Sequence, residues 1–127
     1  MDRNLQARHE LVSHCRQIVV KAGTRLLTDP ERFRELIAGI ARLRRRNWKV
    51  MLVSSGAVGT GMRALGLERR PRQLSEVQAL AAIGQGKLMA LYDAECRQFG
   101  FNTAQLLLTA ADLRELERYL NVSNCIA

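Results

Sequence analysis

Apolar residues along this chain follow two rhythms, short unbroken runs and stripes that repeat every three or four positions, and their alternation predicts a layered α/β architecture. Gln17 to Lys21 (QIVVK) is a β-branched run that ends in lysine and is followed by Ala22, Gly23 and Thr24, which predicts a buried strand running into a glycine turn. A helix follows. Asp29 is placed to cap it, Pro30 suits its first position, and Glu31 sets negative charge near the positive end of its dipole. Phe33, Leu36, Ile37, Ile40 and Leu43 form its apolar stripe, and Arg44, Arg45 and Arg46 suit its carbonyl end. Lys49 to Ser54 (KVMLVS) is too short for a helix and predicts a second strand, buried on both faces as parallel strands are. Strand, helix and strand in this order form a βαβ unit with a right-handed crossover, so both glycine turns fall at the carboxyl edge of a parallel sheet.

From Gly56 to Leu67 the chain reads GAVGTGMRALGL, and a helix here must be short or closely packed, since interior glycine costs about 1 kcal/mol relative to alanine. Pro71 interrupts the basic loop Glu68 to Arg72. Ser75 and Gln78 have the spacing of a capping box, and Val77, Leu80, Ala81, Ile83, Leu88, Leu91 and Tyr92 continue a long helical pattern that Gly100 stops. Gly84 and Gly86 inside that pattern predict close approach of another element. Thr103 to Leu108 (TAQLLL) predicts a third strand, and Thr109 caps a final amphipathic segment carrying Leu113, Leu116 and Tyr119. Residues 1–14 read as an appended, helical extension, leaving 15–127 as one domain or part of one.

Composition narrows the function. The chain has 127 residues, enough for one domain or part of one. No run approaches the roughly 20 apolar residues needed to cross a bilayer, and the polar residues from Met1 to Ser13 do not form a secretory leader, so a cytoplasmic location is expected. Cys15, Cys96 and Cys125 lack zinc-site spacing and read as reduced thiols; His14 beside Cys15 suggests a metal pair, but neighbours on a strand point to opposite faces, and no metal site is expected. The net charge of +8 favours anionic partners, with arginines gathered at Arg42, Arg44, Arg45 and Arg46 and at Arg69, Arg70 and Arg72. Aromatic content of 5%, with no interleaving of basic and stacking residues, argues against nucleic acid.

Ligands of open parallel sheets bind beyond the carboxyl ends of the strands, which here directs attention to Lys21, Gly23 and Thr24, then Ser54, Ser55, Gly56 and Ala57. Lys21 is costly at the mouth of a buried strand unless its charge is used or reaches water. Gly23 and Gly56 admit a ligand close to the backbone, and the amides at a helix start after Ser55 suit anionic oxygens, although Ser55 as a plain helix cap is the simpler structural role. Two familiar phosphate motifs fail. Gly56 and Gly61 have Walker A spacing, but Met62 stands where lysine is required. Gly59, Gly61 and Ala64 match a dinucleotide fingerprint that starts too far beyond its strand, so both matches read as helix packing.

Taken together, IVVKAGT, LVSSGAVGTG, AAIGQGKLMALY and QLLLTAADLRELERYLN resemble the glutamate 5-kinases (γ-glutamyl kinases) of the amino-acid kinase family in order and spacing, from about Arg16 to Asn124. The resemblance implies the amino-acid kinase fold, a three-layer α/β/α sandwich around a mainly parallel sheet. It implies ATP-dependent phosphorylation of the L-glutamate side-chain carboxylate to γ-glutamyl phosphate, the first step towards proline. By the same resemblance Lys21 is the catalytic lysine at the ATP phosphates, Gly23 and Thr24 complete the nucleotide loop, and Ser55, Gly56 and Ala57 bind glutamate. ATP and Mg2+ are the implied cofactors, with the metal ligands outside this chain, and the complete enzyme is expected to be a homo-oligomer.

Ala22 and Arg25 depart from the family pattern, and the segments that hold glutamate, magnesium and adenine have no counterpart here. The chain is therefore expected to be the N-terminal half of a kinase domain, inactive in isolation. A noncatalytic oligomerisation or regulatory module derived from the same fold is the alternative.

Overall fold

The computed structural model describes residues 3–127. Helix α1 (Arg3–His14) precedes strand β1 (Gln17–Ala22), which runs into a 3₁₀ turn at Thr24–Thr28 rather than a bare glycine turn. Helix α2 (Pro30–Arg45) leads to β2 (Lys49–Ser54), α3 (Ala57–Ala64) and the long α4 (Leu74–Gln98), and α5 (Ala110–Arg114) and α6 (Leu116–Ile126) complete the described chain. Because α1 ends at His14, that residue and Cys15 are not neighbours on a strand; the His14 ring bonds back to the Glu10 carbonyl at 2.9 Å.

The predicted βαβ unit is present. β1 and β2 pair in parallel, with Lys21 opposite Val53 and Ala22 opposite Ser54. The ladder continues past the strands, where the Ser55 amide donates to the Ala22 carbonyl at 3.2 Å. The Asp29 carboxylate caps α2 by accepting from the Arg32 amide at 3.2 Å, with Pro30 in the first turn. At its other end Asn47 takes the left-handed conformation (φ 60°), and the Trp48 and Asn47 amides return to the Leu43 and Arg44 carbonyls. The same closing pattern ends α4 at Gly100 (φ 81°), the predicted stop.

One helical layer covers one face of the sheet. Phe33, Ile37 and Ile40 from α2 pack with Leu88, Tyr92 and Cys96 from α4, and Val50 and Leu52 of β2 press against this cluster. Ile37 is fully enclosed. Arg34 and Glu95 join the two helices by an ion pair at 3.0 Å, and the Arg44 guanidinium lies 5.1 Å over the Phe101 ring. Helix α3 crosses α4 at glycine. A side chain on Gly61 would be driven into the Leu80 carbonyl, and one on Gly84 into the Ala57 carbonyl. Gly84 therefore performs the predicted close approach; Gly86 faces open space and does not.

Other expectations are corrected. The strands are not buried on both faces: Val19 is 58% and Val53 53% exposed, because the described helices pack against the opposite side. Thr103 to Leu108 is not a strand, since no described segment offers it a ladder, and Leu107 is 76% exposed. The capping box at Ser75 and Gln78 does not form; α4 starts earlier, with Gln73 at its cap position and no side-chain cap bond. Thr109 does cap α5, in a full capping box with Asp112. Leu113, Leu116 and Tyr119 nevertheless remain exposed. What is present is an incomplete α/β fold built around a parallel strand pair.

Candidate active site

The carboxyl ends of β1 and β2 bring most of the singled-out residues together. Parallel register puts Lys21 beside Val53, two residues before Ser55. Gly23 precedes the 3₁₀ turn, whose first residue, Thr24, directs its hydroxyl to the Ser55 hydroxyl at 3.2 Å. Ser55 also reaches back to the Ala22 carbonyl, at 3.5 Å from its hydroxyl. The two post-strand loops are thus bonded through side chains as well as through the backbone.

Ser55 is not the cap of α3. That position belongs to Gly56, which has φ 116° and provides no side-chain cap. The simpler structural role for Ser55 is removed by this geometry, and its exposed hydroxyl, which contacts the neighbouring loop, keeps a lone pair free. Gly56 is required by its backbone, which lies in a region that side chains rarely adopt, and a Cβ would also displace the end of the Leu27 side chain. Ala57 opens α3, and Thr60 is the first residue of the helix whose amide returns to Gly56, at 2.9 Å. The preceding helix-start amides therefore remain available to an anion.

Lys21 sits differently from the expectation of a charge sunk in a buried strand. It lies on the exposed face with Gln17 and Val19, while Ala22 turns into the core. Among the described residues it forms no ion pair, so its ammonium is free to meet an anion at that face. Neither of two shallow surface grooves, one along α2 lined by Leu26, Arg32 and Leu36 and one lined by Met89, Asp93 and Thr103, includes Lys21 or Ser55. The candidate site is an open rim rather than an enclosed cavity.

Two contributors escaped the sequence reading. Leu27, from the unpredicted 3₁₀ turn, seals the side of Gly56. Tyr92 sends its hydroxyl to the Ser54 hydroxyl at 2.7 Å from within the core, where it is 4% exposed and stacks obliquely on Phe33 with centroids 5.0 Å apart. A buried tyrosine needs a partner for its oxygen, which is the one signal that marks it in the sequence. Burial pushes the Tyr92 phenol above its ordinary value, partly offset by the Ser54 bond.

Among the described residues no group of three or more His, Cys, Asp or Glu side chains could hold a metal ion, and no helix is long and apolar enough to cross a membrane. The thiols are unpaired, with Cys96 buried and Cys15 and Cys125 exposed.

The chain is similar to a glutamate 5-kinase of Cupriavidus taiwanensis, 43% identical over 122 residues that cover 91% of this chain and 33% of that protein. A glutamate 5-kinase of Ralstonia nicotianae is 43% identical over 126 residues, 94% of this chain and 34% of the relative. One from Thermobifida fusca is 43% identical over 122 residues, 91% of this chain and 31% of the relative. The chain spans about a third of the length of the curated relatives it matches. The model of the Amino acid kinase family matches residues 16–127, from the residue before β1 to the end of the described chain. By that match the chain belongs to the amino acid kinase family.

Proposed function

We propose that this chain supplies the lysine loop and the acceptor loop of a glutamate 5-kinase, whose reaction moves the γ-phosphoryl group of ATP to the side-chain carboxylate of L-glutamate. The observation that carries the proposal is the direct bond between the loops after β1 and β2, Thr24 to Ser55 at 3.2 Å. The names and identities of the relatives support the choice of substrate.

The chemistry explains why such loops belong at one rim. A carboxylate attacking a phosphoryl group brings two anions together, so catalysis rests on positioning and positive charge rather than on covalent chemistry by the protein. Lys21 offsets charge on the transferring oxygens, and Gly23 and Thr24 shape the loop that holds the phosphates. Ser55 orients the acceptor while the amides of Gly56 and Ala57 receive its carboxylate. Phosphoryl transfer by kinases draws on Mg2+, which neutralises phosphate charge when bound. The described residues do not form a site for it, so no residue of this chain is assigned to the metal. Turnover, a cytoplasmic setting and homo-oligomeric assembly are proposed for the whole protein, with residues 15–127 as the N-terminal part of its kinase domain and residues 1–14 as an extension.

Isothermal calorimetry of the whole protein with L-glutamate, L-aspartate and ATP tests the reading. Binding of L-glutamate in preference to L-aspartate, together with binding of ATP, is expected. Equal weak heats for both amino acids, or no heat with ATP, would overturn it.

A further inference from the structure

Three hydroxyl and carbonyl oxygens form a chain behind the acceptor loop. The Ser54 hydroxyl donates to the Ser55 carbonyl at 3.1 Å and lies 2.7 Å from the Tyr92 hydroxyl. Ser54 has a single proton to give, so with that proton on the Ser55 carbonyl the remaining bond must be donated by Tyr92. The order is Tyr92 to Ser54 to Ser55. A phenol is protonated at neutral pH, and burial shifts Tyr92 further in that direction.

The relay acts on a peptide plane. In a trans peptide the carbonyl and the following amide point in opposite directions, so holding the Ser55 carbonyl towards Ser54 turns the Gly56 amide to the other side. Among the described residues that amide has no acceptor. The surroundings of the Tyr92 ring are Phe33, Ile37, Leu88 and other apolar groups, which would accept phenylalanine equally well. Its oxygen is therefore used at the strand end rather than in the core.

We infer that Tyr92 is a positioning residue that fixes, through Ser54, the orientation of the Gly56 amide at the mouth of the site. The consequence for ligand affinity rests on the reading of Ser55, Gly56 and Ala57 as the acceptor loop. Tyr92 touches neither substrate; it acts through Ser54 on the group that does.

The test compares Tyr92→Phe, which keeps the ring, with Ser54→Ala, which removes the middle hydroxyl, and Ser54→Thr, which restores one. Amide NMR spectra of the whole protein are recorded with and without L-glutamate. Tyr92→Phe and Ser54→Ala are expected to move the Gly56 amide resonance and to weaken L-glutamate binding about fivefold, the worth of one hydrogen bond. ATP affinity stays as in the wild type, and Ser54→Thr returns both readouts towards it. A Gly56 resonance unmoved in Tyr92→Phe and Ser54→Ala, or no rescue by threonine, overturns the relay. A Gly56 resonance that responds as expected while the wild-type protein binds no L-glutamate supports the relay, and the acceptor reading is then what fails.

Discussion

The hydroxyls of Thr24 and Ser55 lie 3.2 Å apart, joining the first residue of the 3₁₀ turn after β1 to the residue that follows β2. Both residues are exposed, so the bond contributes little to global stability and acts locally, on the relative placement of two loops. Thr24→Val keeps the shape and removes the hydroxyl. It is expected to cost less than about 1 kcal/mol in urea unfolding while raising hydrogen exchange at the Ser55 amide several-fold. Unchanged exchange at Ser55 would mean that the backbone ladder alone holds the loops.

The crossing of α3 and α4 depends on bare backbone at two positions. Gly61→Ala and Gly84→Ala each force a methyl into a carbonyl of the facing helix and are expected to destabilise by about 2–4 kcal/mol. Gly86→Ala meets open space within a helix and is expected to stabilise by up to about 1 kcal/mol. Calorimetric melting of the three variants checks the contrast, which disappears if α3 does not cross α4 at these residues.

Thiol chemistry reports the core directly. Cys96 is 3% exposed, and burial, aided by Asp93 and Glu95, pushes its thiol up and away from the reactive thiolate. A disulfide reagent should label Cys15 and Cys125 rapidly and Cys96 only as the protein unfolds. Three equally fast thiols would contradict the packing of α4 on α2.

The capping box at the start of α5 predicts an acid dependence. The Thr109 hydroxyl, then the Thr109 amide, hold the Asp112 carboxyl below its ordinary value of 3.8, with Arg118 adding to the effect. A carboxylate whose folded value is depressed favours the folded form above its ordinary value, and that contribution is lost as pH falls through the depressed one. Helicity of α5 is expected to fray in that acid window in the wild type and to be already reduced at neutral pH in Asp112→Ala. Amide shifts of residues 110–114 across an acid titration measure this; a titration without movement there would remove the capping box.

Much of this was legible in the sequence because local chemistry and tertiary packing agree. The unbroken runs at 17–21 and 49–54 became strands, Asp29 and Pro30 began a helix, and Gly100 ended one, each for a reason carried by neighbouring residues. Thr103 to Leu108 failed as a strand because an extended apolar segment becomes one only when a ladder partner exists, which is not a local property. The placement of Lys21 on an open face and the exposure of Val19 have the same origin, since periodicity shows which residues share a face but not what covers it. Ser75 lost its capping role because α4 starts at Leu74, which places Ser75 inside the helix, and the cap position falls to Gln73, which makes no side-chain cap bond. At the site, Lys21, Thr24 and Ser55 were found through topology, but the route from Tyr92 to Ser55 depends on side chains distant in sequence.

The central claim is that one rim of the strand pair serves two anions through two different loops, and crossed variants measure it most directly. Calorimetric affinities of the whole protein for ATP and for L-glutamate are compared in the wild type, Lys21→Ala and Ser55→Ala. Lys21→Ala is expected to weaken ATP about tenfold or more and leave L-glutamate within about twofold, and Ser55→Ala to do the reverse. Variants that weaken both ligands equally, or neither, would contradict the division of the rim between nucleotide and acceptor.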